Sequence, residues 1–221
     1  MSAEPEHRIY HFTHVDHLRT IVRQGLLSDA AVQSGGRLDH EAGDHSIKDR
    51  RRHRVVPCGP GGVVADYVPF YFAPRSPMLY RITNPNSLES GGVATYGALP
   101  HELVYLVTTV ERLHSAGLSL VLTDRNAATS VATFSDDPAQ WGASDFIDWP
   151  LMGQQMWTNT EADPDRMERR AAECLVHGIV PWNLIDQVAV RDQLMSERTR
   201  AVLAQAGDLT TVPLLRPAWY F

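Results

Sequence analysis

Cysteine is scarce in this sequence of 221 residues, which contains only Cys58 and Cys174. The two lie far apart and form no Cys-x-x-Cys pair, so we expect free thiols in a reducing cytoplasm. Long apolar runs are also missing, because none approaches the roughly 20 residues that a transmembrane helix needs. The N-terminal residues 1–8 are polar and partly acidic, unlike a secretory signal. The sequence therefore predicts a cytoplasmic protein with no membrane association.

Three sequence signatures of common enzyme classes are absent as well. The chain has no Gly-x-Gly-x-x-Gly fingerprint, no phosphate loop ending in Gly-Lys-Ser/Thr and no Gly-x-Ser-x-Gly elbow. These absences argue against a Rossmann dehydrogenase and a P-loop nucleotidase, and they weaken the case for a hydrolase. Internal repeats, low-complexity tracts and obvious linkers are also missing. We therefore expect residues 1–8 to form an N-terminal tail and residues 9–221 to form a single domain.

Positive charge is limited overall, because the formal net charge is −6 at pH 7, and this argues against a generic nucleic-acid coat protein. One segment departs from this balance. Residues 48–54, the basic cluster, read Lys-Asp-Arg-Arg-Arg-His-Arg, with five cationic side chains, one acid and a net charge of +4. Such a cluster is typical of a solvated helix face or loop, and also of a phosphate-binding patch. The sequence leaves both interpretations open.

Hydrophobic periodicity predicts a mixture of strands and helices. The predicted strands cover residues 9–12, 67–72, 103–107, 118–122, 173–176 and 185–190. The predicted helices run from residue 15 to a stop at Gly25, from Asp163 or Asp165 to Arg170, and over residues 193–206. The remaining predictions are a cap from Thr13 on the first helix, a surface loop at 28–46, an irregular 139–165 segment and an extended 212–221 segment. Because strands and helices do not alternate regularly, the pattern favours an α+β fold over a doubly wound one.

The most distinctive stretch is the 66–80 segment, in which Tyr-Val-Pro-Phe-Tyr-Phe is followed by Ala-Pro-Arg-Ser-Pro-Met-Leu-Tyr. Its aromatic residues favour a strand, whereas Pro69 removes a hydrogen-bond donor and is typical of an edge strand. Pro74 and Pro77 favour fixed, non-helical turns. Aromatic rings beside Arg75 on a stiffened loop could stack a flat ring, such as a nucleobase or a nicotinamide. The alternative is an edge strand followed by a rigid core loop, since most aromatic stripes are buried.

Three histidines, His11, His14 and His17, recur at intervals of three residues and raise the question of metal binding. His11 falls in a predicted strand and the other two in the following turn and helix, so their side chains should diverge. The only nearby carboxylate is that of Asp16, and we therefore expect no metal site. His11 and Thr13 could instead offer donors to a ribose and an amide from the end of a strand.

Glu173 opens an apolar strand directly after Arg169 and Arg170. A carboxylate at the mouth of a buried strand loses solvation, which is costly unless the charge is paired. One interpretation is an ion pair with a neighbouring arginine. The other is a carboxylate directed into a cleft, where it can stabilise developing positive charge. The residues alone leave both open.

Taken together, four segments resemble a known family. They are residues 9–18 (Ile-Tyr-His-Phe-Thr-His-Val-Asp-His-Leu), 47–51 (Ile-Lys-Asp-Arg-Arg), the 66–80 segment and 170–176 (Arg-Ala-Ala-Glu-Cys-Leu-Val). This pattern resembles the DarT family, the DNA ADP-ribosyltransferase toxins of bacterial toxin–antitoxin systems, from about residue 9 to the end of the chain. The resemblance implies the ADP-ribosyltransferase fold, a split and mainly antiparallel β-sheet with flanking helices. It also implies that the 139–165 segment is the long substrate-recognition loop.

Site residues follow from the resemblance position by position. Glu173 and Arg51 match the family's essential glutamate and arginine, and NAD+ is implied as the co-substrate, without a metal. The implied NAD-side positions are His11, Phe12, Thr13, Thr20, Leu27, Arg51 and Tyr71. The implied DNA-side positions are Lys48, Arg54, Arg75, Met78 and Asn126. Thr20 differs from the residue expected there, Leu27 aligns only after a one-residue gap, and the position of Asn126 can carry histidine instead.

The implied reaction transfers ADP-ribose from NAD+ to a base in single-stranded DNA and releases nicotinamide. The acceptor would be a ring nitrogen, of thymine in the best-known branch, which a duplex would hide. A DarG-like macrodomain antitoxin that removes the mark is implied as a partner. Nothing in the sequence indicates an obligate assembly, so we expect a monomer. ADP-ribosyl transfer to protein or RNA, and binding of nucleic acid or NAD without catalysis, stay open as alternatives.

Overall fold

The structure, a computed structural model, describes residues 7–34, 50–83 and 100–221. Within these ranges the strands are β1 (Arg8–His14), β2 (Leu26–Leu27), β3 (Tyr67–Tyr71), β4 (Leu103–Thr109), β5 (Leu120–Thr123), β6 (Phe134–Ser135), β7 (Glu173–His177), β8 (Ile179–Val180), β9 (Gln187–Val190) and β10 (Leu214–Leu215). The helices are α1 (Leu18–Gln24), α2 (Asp29–Ser34), α3 (Pro77–Thr83), α4 (Val110–Ser115), α5 (Trp149–Met152), α6 (Arg166–Arg170) and α7 (Gln193–Ala206). A further helical turn at residues 50–53 carries Arg51.

One sheet dominates the described chain, with the strand order β10-β9-β4-β1-β3-β7-β5-β6. The β9–β10 pair is parallel, and the other strand pairs in this sheet are antiparallel. Strands β2 and β8 form a separate two-stranded ribbon. A mainly antiparallel sheet with flanking helices is an α+β architecture, so this part of the prediction is confirmed.

The sheet is split between β1 and β3. These two strands pair at a single position, Tyr10 with Tyr71, whereas β1 pairs with β4 over its whole length and β3 pairs with β7 from Tyr67 to Tyr71. Two adjacent strands that diverge beyond one pair leave a cleft within the sheet. The cleft therefore lies between β1, which carries His11, and β3, which carries the aromatic run.

Pro69 was expected to mark an edge strand, and this prediction is wrong. β3 lies inside the sheet, between β1 and β7. The carbonyl oxygen of Pro69 points across the split, where it accepts a hydrogen bond from His11 Nδ1 at 2.8 Å. In a strand, the N–H and C=O groups of one residue point to the same side. The donor that proline lacks would therefore face the cleft, where no ladder forms, and the pairing with β7 is undisturbed.

Apolar side chains cover both faces of the sheet. One face packs with α1 and α7 in a large core that includes Ile9, Phe70, Leu106, Ile21 and Leu203. The opposite face forms a smaller cluster of Leu79, Leu103, Tyr105, Val107, Ala189 and Tyr220. β4 is buried at every position, which explains why its sequence is a continuous apolar run rather than an alternating one.

Helix α7 occupies the predicted range, residues 193–206. The side chain of Asp192 accepts a hydrogen bond from the backbone N–H of Met195 and so caps the N-terminus. Gly207 follows with φ of 100°, in the left-handed region that glycine enters without a Cβ clash. Both ends of this helix carry a local sequence signal, and the prediction is confirmed.

Several local predictions are wrong, each for a local reason. The side chain of His14, not Thr13, caps the 3-10 turn Val15–His17 that precedes α1. Part of the expected loop at 28–46 forms α2, and residues 35–46 lie outside the described ranges. Pro77 starts helix α3, because proline is compatible with the first turn of a helix. Within residues 212–221 only β10 is a strand, and Pro217–Trp219 form a 3-10 turn.

Candidate active site

Glu173 is the first residue of β7 and is completely buried. It lies in register with Tyr71, the last residue of β3, at the point where β1 and β3 separate. Its carboxylate oxygens lie 3.0 and 2.9 Å from Arg51 Nη1, and the backbone N–H of Ala127 donates to Oε1 at 3.3 Å. Donors of this kind fix the orientation of a buried carboxylate. Glu173 is therefore a preorganised carboxylate at the end of the cleft.

The ion pair of Glu173 involves neither of the neighbouring arginines. Arg169 binds Asp148, Asp163 and Asp165, all in the 139–165 segment. Arg170 binds backbone carbonyl groups. The first interpretation of Glu173, a pair with an adjacent arginine, is therefore wrong, because its partner lies 122 positions away in sequence.

Arg51 reaches Glu173 from the helical turn at residues 50–53. Its side chain is 14% exposed, and only Nη1 contacts the carboxylate. Nη2 is buried and has no hydrogen-bond partner in the part of the chain that the structure describes. A buried donor without a partner is costly, and a ligand oxygen beside Glu173 would satisfy it. Arg51 can thus bind the carboxylate and a ligand at once.

His11 lies on the opposite wall of the cleft, in β1. It is half-buried, and its Nδ1 donates across the split to the Pro69 carbonyl. The pKa of His11 is lowered to about 4, chiefly by burial and in smaller part by the charges of His17 and Arg51, while the hydrogen bond to Pro69 acts in the opposite direction. The ring is therefore neutral at pH 7 with its proton on Nδ1. This leaves Nε2 as a hydrogen-bond acceptor.

Two further side chains of the NAD-side set flank His11 in β1. Thr13 is buried, and its Oγ1 lies 2.9 Å from Nδ1 of His17. The ring of Phe12 stacks on that of Tyr71, with centroids 6.2 Å apart and planes inclined by 9°. This stacked pair spans the two strands that border the cleft.

Within the ranges that the structure describes, the two remaining NAD-side positions, Thr20 and Leu27, are not connected to the residues of the site described above. Thr20 is exposed on α1, and Leu27 is half-buried in β2, where it pairs with Ile179. Among the described residues, no hydrogen bond or ring contact joins Thr20 or Leu27 to Glu173, Arg51 or His11. Their assignment to the NAD side stays a prediction.

Arg75 is the most constrained of the DNA-side positions. It has φ of 55°, a left-handed conformation that is uncommon for residues other than glycine. Its backbone N–H donates to Tyr105 Oη at 3.2 Å, and its guanidinium carbon lies 4.4 Å from the centre of the Phe221 ring. Strained backbone of this kind persists only where surrounding contacts hold it, and it is common at functional sites.

The other DNA-side positions have different environments. Arg54 donates to the carbonyl groups of Ser130 and Ala132 and lies over the Phe134 ring, so much of its guanidinium serves internal contacts. Met78 is half-buried in α3. Lys48 lies outside the described residues, together with the beginning of the basic cluster.

Asn126 shapes the turn that positions the backbone N–H of Ala127 against Glu173. Its Oδ1 accepts from the backbone N–H of Ala128 at 2.8 Å, which forms a tight turn. The same turn directs the N–H of Ala127 to Glu173. Thr123, at the end of β5, accepts the backbone N–H of Glu173 at 3.1 Å. Neither Thr123 nor Ala127 was predicted as a site residue, because backbone contacts depend on a strand register that one sequence does not reveal.

Arg170 has a structural role that the sequence did not indicate. It is 2% exposed, and its guanidinium donates to the carbonyl oxygens of Leu151, Met152 and Gln154, all in the 139–165 segment. It also donates to the carbonyl oxygen of Pro74, next to Arg75. Burial lowers its pKa to about 10, so it stays charged at neutral pH. One side chain, three residues before Glu173, thus joins the 139–165 segment to the loop after β3.

The 139–165 segment is irregular, as predicted. Its regular structure is limited to α5 and a 3-10 turn that ends at Gln140. Within the described ranges no group of three His, Cys, Asp or Glu side chains could hold a metal ion. None of the described helices is long and apolar enough to cross a membrane. Cys58 and Cys174 are both unpaired, as predicted.

We compared the chain with protein families, with related sequences and with solved structures. A family model described as "DarT: ssDNA thymidine ADP-ribosyltransferase, DarT" matches residues 10–221. The chain is 36% identical over 214 residues to a DNA ADP-ribosyl transferase of Thermus sp. (strain 2.9), covering 96% of this chain and 95% of that protein. It is 23% identical over 213 residues to a DNA ADP-ribosyl transferase–DNA ADP-ribosyl glycohydrolase fusion protein of Thermosipho africanus (strain H17ap60334), covering 96% of this chain and 49% of that protein.

Two solved structures match the whole fold. The structure of Thermus sp. 2.9 DarT in complex with ADP-ribosylated ssDNA matches with a TM-score of 0.84 and 33% identity, covering 98% of this chain and 97% of that one. The structure of the same Thermus protein in complex with NAD+ matches with a TM-score of 0.80 and 32% identity, covering 100% of both chains. The predicted fold class, a split and mainly antiparallel sheet with flanking helices, is confirmed by this likeness.

Proposed function

The chain belongs to the DarT family of ssDNA thymidine ADP-ribosyltransferases, and from this premise we propose that it transfers ADP-ribose from NAD+ to a thymine in single-stranded DNA. The observation that carries the proposal is the buried Arg51–Glu173 pair at the point where β1 and β3 separate. The Thermus structures with NAD+ and with ADP-ribosylated ssDNA support the choice of both substrates.

The cleft offers groups that suit NAD+. Arg51 Nη2 is a buried donor without a described partner, and His11 presents an acceptor at Nε2. Together with Thr13 and the Phe12–Tyr71 ring pair, they provide hydrogen bonds for a ribose and flat surfaces for a nicotinamide. NAD+ supplies the ADP-ribosyl group, whose bond to nicotinamide breaks as positive charge develops on the ribose.

Glu173 is the residue that stabilises this charge. Its carboxylate is buried and fixed by Arg51 and the Ala127 N–H, so it needs no reorientation when positive charge develops nearby. One of its oxygens can also accept a hydrogen bond from a ribose hydroxyl. Both roles depend on the orientation that the two donors give the carboxylate.

Arg51 stabilises the acceptor base. A thymine ring nitrogen carries a proton that must leave as the nitrogen bonds to the ribose carbon, so negative charge develops on the base. A guanidinium stays protonated in proteins and cannot take that proton. We therefore assign Arg51 to stabilising and orienting the anionic base, and Glu173 or water to accepting the proton.

The biological role follows from the family and from its fused relatives. DarT proteins are toxins of toxin–antitoxin systems, and the Thermosipho relative combines a DNA ADP-ribosyl transferase with a DNA ADP-ribosyl glycohydrolase. We propose that a DarG-like macrodomain protein, which hydrolyses the same mark, is the antitoxin partner of this chain. Its two unpaired cysteines support action in the cytoplasm.

Mass spectrometry of oligonucleotides tests the proposal. The protein is incubated with NAD+ and single-stranded oligonucleotides that cover all short sequence contexts, and a covalent ADP-ribose on thymine is the expected product. Glu173→Gln should lower the rate at least about a hundredfold, because an amide does not stabilise a developing cation. Glu168→Gln, at an exposed position in α6, is the matched control and should keep the wild-type rate. Modification of protein or RNA without any DNA adduct would contradict the proposal.

A further inference from the structure

Beside the active site, three aromatic rings from distant parts of the chain meet at the surface. Tyr80 lies in α3, Trp157 in the 139–165 segment, and Phe221 is the last residue. The Tyr80 ring centre is 5.1 Å from that of Phe221 and 5.9 Å from that of Trp157, and the third pair is 6.3 Å apart. All three pairs are edge-to-face contacts, the geometry that aromatic rings prefer when they pack.

This ring cluster is only partly buried. Trp157 is 3% exposed and forms its base, whereas Tyr80 and Phe221 are 37% and 36% exposed, and Met156 beside them is 70% exposed. Large apolar side chains grouped in this way at a surface are typical of a binding site rather than of a core. The exposed parts of Tyr80 and Phe221 therefore offer ring surface to a ligand.

Arginines accompany the cluster, although the chain as a whole is acidic and one of them, Arg166, is paired with Asp163. Residues 67–83 contain two arginines, Arg75 and Arg81, and no acidic residue. The Arg75 guanidinium lies over the Phe221 ring, in cation–π geometry. Arg166 reaches the other side, where it donates to the backbone carbonyl of Met156. Aromatic rings interleaved with arginines match a nucleobase and its phosphate.

The ring cluster is connected to the strands that carry Tyr71 and Glu173. Tyr71, paired with Glu173, is four residues before Arg75, and Arg170 binds the Pro74 carbonyl between them. The same guanidinium binds the 139–165 segment that supplies Trp157. The rings are thus held beyond the end of β3 by contacts that also reach the strand pair carrying Glu173.

We propose that Tyr80 and Phe221, supported by Trp157, form a stacking subsite for a DNA base that flanks the modified thymine. The proposal rests on the proposed function, since it assigns the neighbour of the base that Glu173 and Arg51 act on. Stacking gives affinity with little dependence on base identity, because every base has a π-face. The subsite therefore anchors the strand, while the base that reacts is held elsewhere.

Steady-state kinetics with modified oligonucleotides tests this subsite. Tyr80→Ala should raise KM for the oligonucleotide about tenfold, the loss of one base–aromatic stack, and leave kcat and the KM for NAD+ unchanged. Tyr80→Phe keeps the ring and should behave like wild type. Phe221→Ala should act like Tyr80→Ala. Leu209→Ala, at an apolar side chain that is 83% exposed in the turn after α7, is the control for loss of surface apolar area and should have no effect.

A second series removes the base instead of the ring. Each nucleotide flanking the target thymine is replaced in turn by an abasic one. Wild type should show a raised KM at one flanking position, and Tyr80→Ala should show no further rise at that position. A KM for Tyr80→Ala within twofold of wild type would overturn the subsite. It would also be overturned if an abasic nucleotide raised the KM of Tyr80→Ala as much as that of wild type.

Fluorescence anisotropy separates this result from a failure of the proposed function. If wild type forms no DNA adduct, the function fails, and the Kd of wild type and Tyr80→Ala for a labelled oligonucleotide still tests the subsite. Equal Kd values would overturn it. If wild type modifies DNA and the variant is indistinguishable from it, only the subsite fails. Unfolding curves for each variant identify any that do not fold, and Phe221→Ala then provides the same comparison.

Discussion

At the scale of single residues, Glu173 is held in place by partners that are remote in sequence. Arg51 and the Ala127 N–H are the donors that offset the desolvation of a completely buried carboxylate. Removing either donor would leave that carboxylate with fewer hydrogen bonds and a less fixed orientation. The site therefore depends on two loops being in place, one at residues 50–53 and one after β5.

His11 also shows how one residue couples the cleft to pH. Its pKa is about 4 in the folded chain, below the ordinary value of 6.5, because burial disfavours the charged ring. Between these two values the unfolded chain binds more protons than the folded chain. The stabilisation due to the neutral ring is thus complete above pH 6.5 and is lost as the pH falls towards 4.

We predict that this loss is specific to His11. His11→Asn keeps a donor for the Pro69 carbonyl but does not titrate, so the difference in free energy of unfolding between wild type and variant should shift against wild type as the pH falls from 6.5 to 4. Urea unfolding across this range measures it. His114→Asn, at an exposed ring, is the control. The same pH dependence in wild type and His11→Asn would contradict the prediction.

At the scale of elements, Arg170 joins segments that have no ladder between them. It binds four carbonyl groups, three in the 139–165 segment and one at Pro74, and no carboxylate of the described residues. Backbone carbonyls have no signature in a sequence, which is why this contact could not be predicted. The position of the loop after β3, close to Glu173, depends on this contact of Arg170.

Arg170→Met should loosen the connection between the 139–165 segment and the loop after β3. The methionine fills part of the space but leaves buried carbonyl oxygens without donors, which costs on the order of 3 kcal/mol of unfolding free energy. We expect Arg170→Lys to be intermediate, because an ammonium lacks the planar fork that reaches both segments. Urea unfolding measures stability, and the ratio of DNA transfer to NAD+ hydrolysis measures positioning.

Arg112→Met is the control for Arg170→Met, since that arginine is 44% exposed at the far side of the sheet. If Arg170→Met had the stability and the KM for DNA of wild type, the contact would be dispensable. A loss of stability with an unchanged ratio of transfer to hydrolysis would show that Arg170 holds the fold but does not position the substrate.

Element boundaries were predictable where the sequence carries a local signal. α7 has Asp192 at one end and Gly207 at the other, and α6 follows Asp165 as expected. α2 was missed because none of its residues is fully buried, so it lacks an apolar stripe. The prediction for β3 was wrong because a proline shows that one backbone donor is missing but does not show which neighbouring strand that donor would have faced.

At the scale of the whole molecule, a net charge of −6 must be reconciled with binding of a polyanion. The cations assigned to the DNA side are local, in the basic cluster at 48–54 and in the 66–80 segment. Assembly of the site across the chain could not be read from spacing, since Arg51, Glu173 and His11 meet only through the sheet order. Their grouping came from resemblance to a family, whereas their distances and burial came from the structure.

We predict a moderate salt dependence of DNA use. If about three phosphates are neutralised, KM for the oligonucleotide should rise about fourfold for each doubling of salt, since binding to single strands varies as roughly −0.7 per phosphate on logarithmic scales. KM for NAD+ should change little. Steady-state rates at several salt concentrations measure both values. A KM for DNA that does not vary with salt would place the strand away from these arginines.

The proline in β3 has a consequence for the stability of an empty cleft. Two adjacent strands with free backbone groups tend to zip together, and a sheet that closed in this way would exclude NAD+. Pro69 has no N–H to contribute to that zipper, and its carbonyl is already occupied by His11. A sheet that closed over the cleft would therefore lose the His11–Pro69 hydrogen bond and would gain none from the nitrogen of Pro69. The proline thus lowers the gain in hydrogen bonds on closure.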